Sequence, residues 1–292
     1  MGGRMSINLG NTTFGSLYLG STKIGEAYLG NVKVYESLDP YNPLGLPPYT
    51  IRLEFESGTS PSFSNGTAVR VSSSPNIWDL TYQNPDWTRL LDNQDELIGV
   101  LGANTSSVTN MSSLFLGCFE LETVPVFNTG AVTNMSSMFY NCRALTTVPL
   151  YNTSAVTKMR YMFNLCHGLT SIPLFDTSSV TDMESMFMEC DSLTTLPLLD
   201  TSSVTNMSCM CDYCTALTSI PLFDVSSVID CSFAFESTPY VESGALALYQ
   251  RLSQYEYRLA DYSDCFSNCG SSTVSGAAEL AQIPSSWGGT GA

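Results

Sequence analysis

Apolar residues fall into fixed columns along the middle of the chain. Six consecutive blocks of 24 residues open at Asn104, Asn128, Asn152, Asp176, Asp200 and Asp224 and repeat one pattern, (N/D)-T-S-S-V-T-N-M-S-S-M-F-Y-N-C-x-x-L-T-x-(I/V)-P-L-F. Val recurs from Val108 to Val228, Met from Met111 to Met207, and Phe at Phe115, Phe139, Phe163, Phe187 and Phe235. A unit this short cannot bury its own apolar face, so the blocks must stack and share one core. The predicted fold is a leucine-rich-repeat solenoid, mainly β with short helices. In the first five blocks the segment beginning at Leu121, Leu145, Leu169, Leu193 or Leu217 reads L-x-x-(I/V/L)-P-(L/V), and the sixth block loses it. That spacing predicts a short strand whose first, fourth and sixth positions face inward. The S-S-M-F-Y-N-C stretch on the far side predicts a short helical or 3₁₀ turn. With no insertion between copies, neighbouring blocks stack about 4.8 Å apart and every column becomes a ladder.

Such a stack has two open ends that atypical units must close. Trp87, Leu91, Leu97 and Val100 stand one period ahead of Met111, Phe115, Leu121 and Val124, so residues 80–103 predict a half-matched first block. Behind the array, residues 244–254 read as a helix with Leu246, Leu248, Tyr249 and Leu252 on one side. Residues 264–270 then echo F-x-N-C. The N-terminus carries a different repeat, with Leu-Gly at 9–10, 19–20 and 29–30, and predicts a small antiparallel meander. The organisation expected is an attachment module over 1–38, a Pro-rich spacer over 39–48, a strand region with a capping block over 49–103, the repeat array over 104–247 and a C-terminal cap over 248–292.

Composition narrows the partners. With 11 basic against 27 acidic residues and a formal charge of −16, the chain repels a phosphate backbone, so neither nucleic acid nor an anionic membrane is expected. Ten cysteines raise disulfides and metal. Five of them, Cys118, Cys142, Cys166, Cys190 and Cys214, share one column flanked by apolar columns and predict a buried, reduced ladder. Cys209, Cys211 and Cys214 spell C-x-C-x-x-C, but a structural zinc site needs a fourth ligand and Cys211 stands where other blocks place Phe, so no metal is assigned. Cys265 and Cys269 can pair or cap. Asp176, Asp200 and Asp224, each followed by Thr or Val and then Ser, predict turn capping, with calcium on that column as the alternative. No cofactor and no enzymatic activity are expected: the one histidine, His167, sits in a variable column, and no catalytic motif is present.

The expected ligand surface is the exposed face of the strand column. It carries Phe127, Tyr151, Phe175 and Phe223, with Leu199, beside Thr123, Thr147 and Thr195, with Ser171 and Ser219. Aromatic rings next to hydroxyls suit a sugar or a protein partner; the alternative is that the rings tuck against neighbouring blocks. Arg143, Arg160, Tyr161, His167, Glu184 and Asp191 form a second, variable set on the turn side.

Residues 176–197, D-T-S-S-V-T-D-M-E-S-M-F-M-E-C-D-S-L-T-T-L-P, closely resemble the repeats of BspA-like leucine-rich-repeat surface proteins. That resemblance implies adhesion. Y-L-G-S-T-K-I-G at 18–25, Y-T-I-R at 49–52, L-G-A-N-T-S at 101–106 and A-E-L-A-Q-I-P-S-S-W-G-G at 278–289 are similar to virion proteins of tailed phages that infect gut bacteria. The second resemblance implies a non-enzymatic virion surface protein, a capsid decoration or tail-fibre component. Residues 1–38 would bind other virion proteins, and the repeat domain would face outward to a host glycan or protein, in multiple copies or as a homo-oligomer. The opening M-G-G-R-M-S-I-N-L-G lacks the apolar stretch of a secretory signal, which favours the virion surface over the alternative, a bacterial cell-surface adhesin.

Overall fold

The computed structural model describes residues 44–291 apart from 60, 64 and 74, and ahead of them the strand residues 18–19, 22–23, 27–29 and 32–35. These early strands form two antiparallel hairpins, β1 (Tyr18–Leu19) with β2 (Thr22–Lys23) and β3 (Ala27–Leu29) with β4 (Val32–Tyr35). They fall where the ten-residue pattern places strands. The rest of residues 1–38, and residues 39–43 of the Pro-rich spacer, lie outside the described residues.

Four longer strands follow: β5 (Thr50–Phe55), β6 (Thr67–Ser73), β7 (Asn76–Thr81) and β8 (Leu97–Ala103). They make one sheet in the order β6-β7-β5-β8, with every neighbour antiparallel. Alternation in β5 points Ile51, Leu53 and Phe55 into the core, as period-two geometry requires. Arg52 on the opposite face pairs with Asp79 of β7 at 2.7 Å. The far edge of β8 does not end the sheet: Gly99 bridges in parallel to Thr123, so the sheet leads into the first block.

From there, positions 24 residues apart meet in parallel bridges that run Asp86, Asn110, Asn134, Lys158, Asp182, Asn206 and Asp230 and close on Asp261. Val, Met, Phe, Cys and Leu of the repeated columns are buried and join the strand residues in one continuous core. The Phe column stacks ring on ring, Phe115 to Phe139 at 5.5 Å, Phe139 to Phe163 at 5.6 Å and Phe163 to Phe187 at 5.8 Å, all within 8° of parallel. The capping block behaves as its spacing predicts: Trp87 and Leu91 are fully buried, and their N–H groups donate to the carbonyls of Asn110 and Leu114. Among the described residues the chain is mainly β with two short α-helices, α1 (Ala245–Leu252) at the end of the array and α2 (Val274–Leu280) in the C-terminal cap. Phe266 of the cap continues the stack on Phe235 at 6.0 Å. Gly244, at φ 105°, starts α1 where the backbone passes so close that an added Cβ would lie 2.1 Å from the Ile220 carbonyl oxygen.

Two local expectations are corrected. The S-S-M-F-Y-N-C segments are not helical: they are successive turns, such as Met138 N–H to Met135 O at 3.1 Å and Cys142 N–H to Phe139 O at 3.1 Å. Between them stand residues in the left-handed region, Ser137 at φ 55° and Asn141 at φ 61°, with equivalents in every block. Each left-handed side chain costs about 1–2 kcal/mol, offset because the flip turns its N–H toward the next block. Ser137 thus donates to Arg160 O at 2.9 Å and Asn141 to Asn164 O at 2.7 Å. The second correction concerns the Leu-to-Pro segments, which form no continuous strand. The dense inter-block ladder runs instead through the V-T-N-M and turn segments, for example Thr157 N–H to Thr133 O at 3.0 Å and Met159 N–H to Asp182 O at 3.2 Å. Proline in every Leu segment removes the donor that a ladder there would need.

Candidate functional site

The surface that stands out is a ridge of aliphatic side chains, one per block. Val126, Leu150, Leu174, Leu198 and Leu222 are 39, 60, 61, 62 and 45 % exposed, on a scaffold whose other apolar columns are close to zero. Local geometry explains Leu198 and Leu222. Leu199 N–H donates to Pro197 O at 2.9 Å and Phe223 N–H to Pro221 O at 2.9 Å, which closes a three-residue turn with Leu198 or Leu222 at its apex. A residue at such an apex points away from the body, and the next one turns back into it. The ridge is bordered on one side by the hydroxyl column of Thr123, Thr147 and Thr195, all exposed, and on the other by Asn128, Asn152, Asp176, Asp200 and Asp224. Between blocks the hydroxyl border dips into a shallow cleft lined by Thr123, Thr146, Thr147 and Pro149.

The aromatic residues expected on this face are inside. Phe127, Tyr151, Phe175 and Phe223 are at most 2 % exposed, and Leu199 with them. They form a second ring column, Phe127 to Tyr151 at 5.7 Å and Tyr151 to Phe175 at 6.3 Å, and join the first where Phe163 lies 6.4 Å from Phe175. The alternation counted through the L-x-x-I-P-L-F segment slips by one residue at the turn, and a one-residue slip exchanges the two faces. Thr123, Thr147 and Thr195 are exposed; the missed residues are the aliphatic ridge itself. The signal for it was the Pro-Leu-Phe triplet, where an inward ring directly follows an apolar neighbour.

The variable turn-side residues pair with one another across blocks. Arg160 meets Glu184 at 3.5 Å, Tyr161 Oη donates to the same carboxylate, and His167 Nδ1 lies 2.8 Å from Asp191 Oδ2. Arg143 and Arg160 cover the rings of Phe119 and Tyr161 at 5.1 and 5.0 Å. The hydrogen bond to Glu184 is the main reason the Tyr161 hydroxyl titrates above its ordinary range. These groups form surface rungs that brace adjacent blocks.

The Asx column caps turns, as its spacing predicts. Asp176 Oδ1 accepts from Ser178 Oγ at 2.6 Å and from its N–H at 3.2 Å, and Asp200 and Asp224 serve Ser202 and Ser226 alike. Those donors, the hydroxyl first, hold the Asp176 carboxyl below the usual range. All ten cysteines are free thiols. The five column thiols are buried, and each S–H donates to a backbone carbonyl of the preceding block: Cys118 to Leu91, Cys142 to Phe115, Cys166 to Phe139, Cys190 to Phe163 and Cys214 to Phe187, at 2.9–3.1 Å. Burial pushes the Cys118 and Cys166 thiols up to about 12, which suits inert packing groups rather than ligands or nucleophiles. Cys211 and Cys214 lie in the core while Cys209 is half-buried, and no cluster able to hold a metal ion occurs among the described residues.

With this geometry in place, the relatives can be considered. Residues 88–192 and 148–247 each match a family described as Mycoplasma protein of unknown function, DUF285. The chain belongs to the DUF285 family. Both matches fall on the stacked blocks, including the capping block that holds Trp87's neighbours from Thr88 onward. A crystal structure of a leucine-rich repeat protein from Eubacterium ventriosum is similar to 49 % of this DUF285 chain at 18 % identity, with a TM-score of 0.35. This chain spans 34 % of that protein. No curated protein matches the sequence.

Proposed function

We propose that this DUF285 protein is a non-enzymatic virion surface component of a tailed phage. In this reading its 24-residue blocks form a BspA-like leucine-rich-repeat solenoid, and residues 1–38 attach it to other virion proteins. The solenoid's working surface is the Val126-to-Leu222 ridge, which contacts protein. The observation that carries the contact surface is the ridge: an exposed aliphatic side chain costs solubility at each position, and Val126 with four leucines in one line forms the kind of apolar strip that marks a protein-contact site. With the aromatic column buried, the strip offers aliphatic contact rather than a ring platform for a sugar. The virion assignment itself rests on the sequence resemblance at 18–25, 49–52, 101–106 and 278–289.

Immunogold electron microscopy of particles released from producing cells, with antibody raised against residues 104–247, tests the location. Label on capsid or tail supports the virion reading. Label confined to the bacterial envelope overturns it in favour of a cell-surface adhesin, the second reading, which gains weight because the matched family is described from Mycoplasma, a cellular organism. For the ridge, a chain with Leu150, Leu174 and Leu198 all changed to Ser should fold and join the particle through residues 1–38, yet leave particles that adsorb poorly to host cells. Adsorption equal to that of unaltered particles would show that the ridge is not a contact surface.

A further inference from the structure

We propose that the ridge pairs with the ridge of a second copy of this chain, the two stacks running antiparallel about Leu174. This rests on the reading of the ridge as a protein-contact surface and goes on to name its occupant. Leu174 is the middle rung, with Leu150 and Leu198 equally exposed on either side and the less exposed Val126 and Leu222 at the two ends. The exposure profile is therefore nearly the same read in either direction. A two-fold axis through Leu174, lying in the contact plane across the stack, sets Val126 against Leu222 of the second copy and Leu150 against Leu198.

The border columns select this direction. Such an axis brings the Asx column against itself in reverse order, and that column reads Asn128, Asn152, Asp176, Asp200, Asp224. Reversal places Asn128 opposite Asp224 and Asn152 opposite Asp200, amide donors facing carboxylates. Each aspartate has one carboxylate oxygen engaged by its own turn, as Asp200 Oδ1 is by Ser202, which leaves the other free to accept. Only Asp176 meets its own copy. For a chain of charge −16 that is a small residue of like-charge contact. A column of aspartates throughout would repel itself along its whole length.

The contact area is that of a weak, reversible association. Five rungs about 4.8 Å apart, with side-chain width added, make the strip about 24 Å long, and the five steps from the Thr147 to the Asn152 position make it at most about 16 Å wide. Two such faces bury under about 800 Å², below the standard size of stable interfaces, so the pair should form reversibly and only at high local concentration.

Sedimentation equilibrium of the full chain from 1 to about 300 µM tests this directly. The expected result is a reversible monomer–dimer equilibrium. Leu174→Glu, which sets two carboxylates on the axis, should weaken it at least tenfold, and Leu174→Ser should weaken it with no change in charge. Asp176→Asn, by removing the one like-charge pair, should tighten it about threefold. Circular dichroism on each variant separates loss of pairing from loss of fold. Direction is read by oxidised-glutathione crosslinking: Leu150→Cys mixed with Leu198→Cys should join across the two copies, whereas Leu150→Cys alone should not. Crosslinking of Leu150→Cys to itself, a dimer indifferent to Leu174→Glu, or a chain monomeric at 300 µM each overturn the proposal. If the chain is monomeric but particles carrying Leu174→Glu still adsorb poorly to host cells, self-pairing fails while the contact-surface reading survives. If Leu174→Glu alters neither, both fail.

Discussion

Replacing Phe163 and Phe187 by Leu, one at a time, asks whether the stacked rings stabilise the protein beyond the space they fill. Both side chains are fully buried in the same column, so removing the same atoms costs the same transfer and cavity terms to a first approximation. Their ring neighbours differ. Phe163 has Phe139 at 5.6 Å, Phe187 at 5.8 Å and Phe175 at 6.4 Å, whereas Phe187 has Phe163 alone, because Cys211 takes the next position in the column. At about 0.5–1.5 kcal/mol per aromatic pair, the two additional contacts make Phe163→Leu the costlier change by about 1–3 kcal/mol. For a chain of this size that is roughly 2–10 °C in Tm. Urea unfolding followed by both far-ultraviolet circular dichroism and tryptophan fluorescence gives the comparison, provided the two probes coincide; separate transitions would show blocks unfolding apart from the Trp-bearing ends. Equal losses at the two positions would refute the reasoning and reduce the ring column to volume filling.

Three further outcomes follow from the same structure. Thiol labelling of the native protein at pH 8 should modify Cys209 first, since it is only half-buried, while denaturation should release all ten; rapid native labelling of Cys118 or Cys166 would contradict their burial. Asp212 is buried with Oδ1 unpartnered, and burial, reinforced by Glu236, raises its carboxyl to about 7 against an unfolded value of about 3.9. The native state therefore holds more protons than the unfolded state between those values, so this group's contribution to stability should fall as pH rises from about 4 to 7 and level off above. Asp212→Asn should flatten that slope, and an unchanged pH profile of Tm would show that the carboxylate is better solvated than its burial implies. Leu165 sits at φ 62° in the column where the first block carries Gly117 at φ 74°, so Leu165→Gly should raise stability by up to about 1 kcal/mol, strain relief exceeding the entropy of glycine. Destabilisation would mean that the half-buried Leu165 side chain contributes more by packing than its backbone costs.

The columns were legible because periodicity reports burial directly: Val108, Met111, Phe115, Cys118 and Leu121, with their copies, had to share one interior whatever path the backbone took between them. The capping block at Trp87 and Leu91 and the closing helix at Leu248 and Leu252 were legible for the same reason. What the pattern left out was backbone direction. Nothing in Ser137 or Tyr161 announces a positive φ, a conformation imposed by the carbonyl of the next block and so by a neighbour that exists only after stacking. Alternation counted through Pro197 likewise cannot see the turn that closes from Leu199 back onto the proline carbonyl.

That turn links the misread residues to the surface they create. Proline denies the Leu segment a ladder bond, and at Leu198 and Leu222 the chain answers with a three-residue turn that uses the N–H after the leucine. The side chain that follows is thereby delivered to the core, and the leucine at the apex is left in solvent. Burial of Leu199 and Phe223 and exposure of Leu198 and Leu222 are thus one structural event, and Phe127, Tyr151 and Phe175 are buried behind the exposed Val126, Leu150 and Leu174 in the same order. Each ridge position inherits the rigidity of the buried side chain that follows it, a ring behind four of them and Leu199 behind Leu198. A ridge fixed in this way reaches a partner already ordered and loses little side-chain entropy on contact, which is the condition under which so small an interface can still be specific.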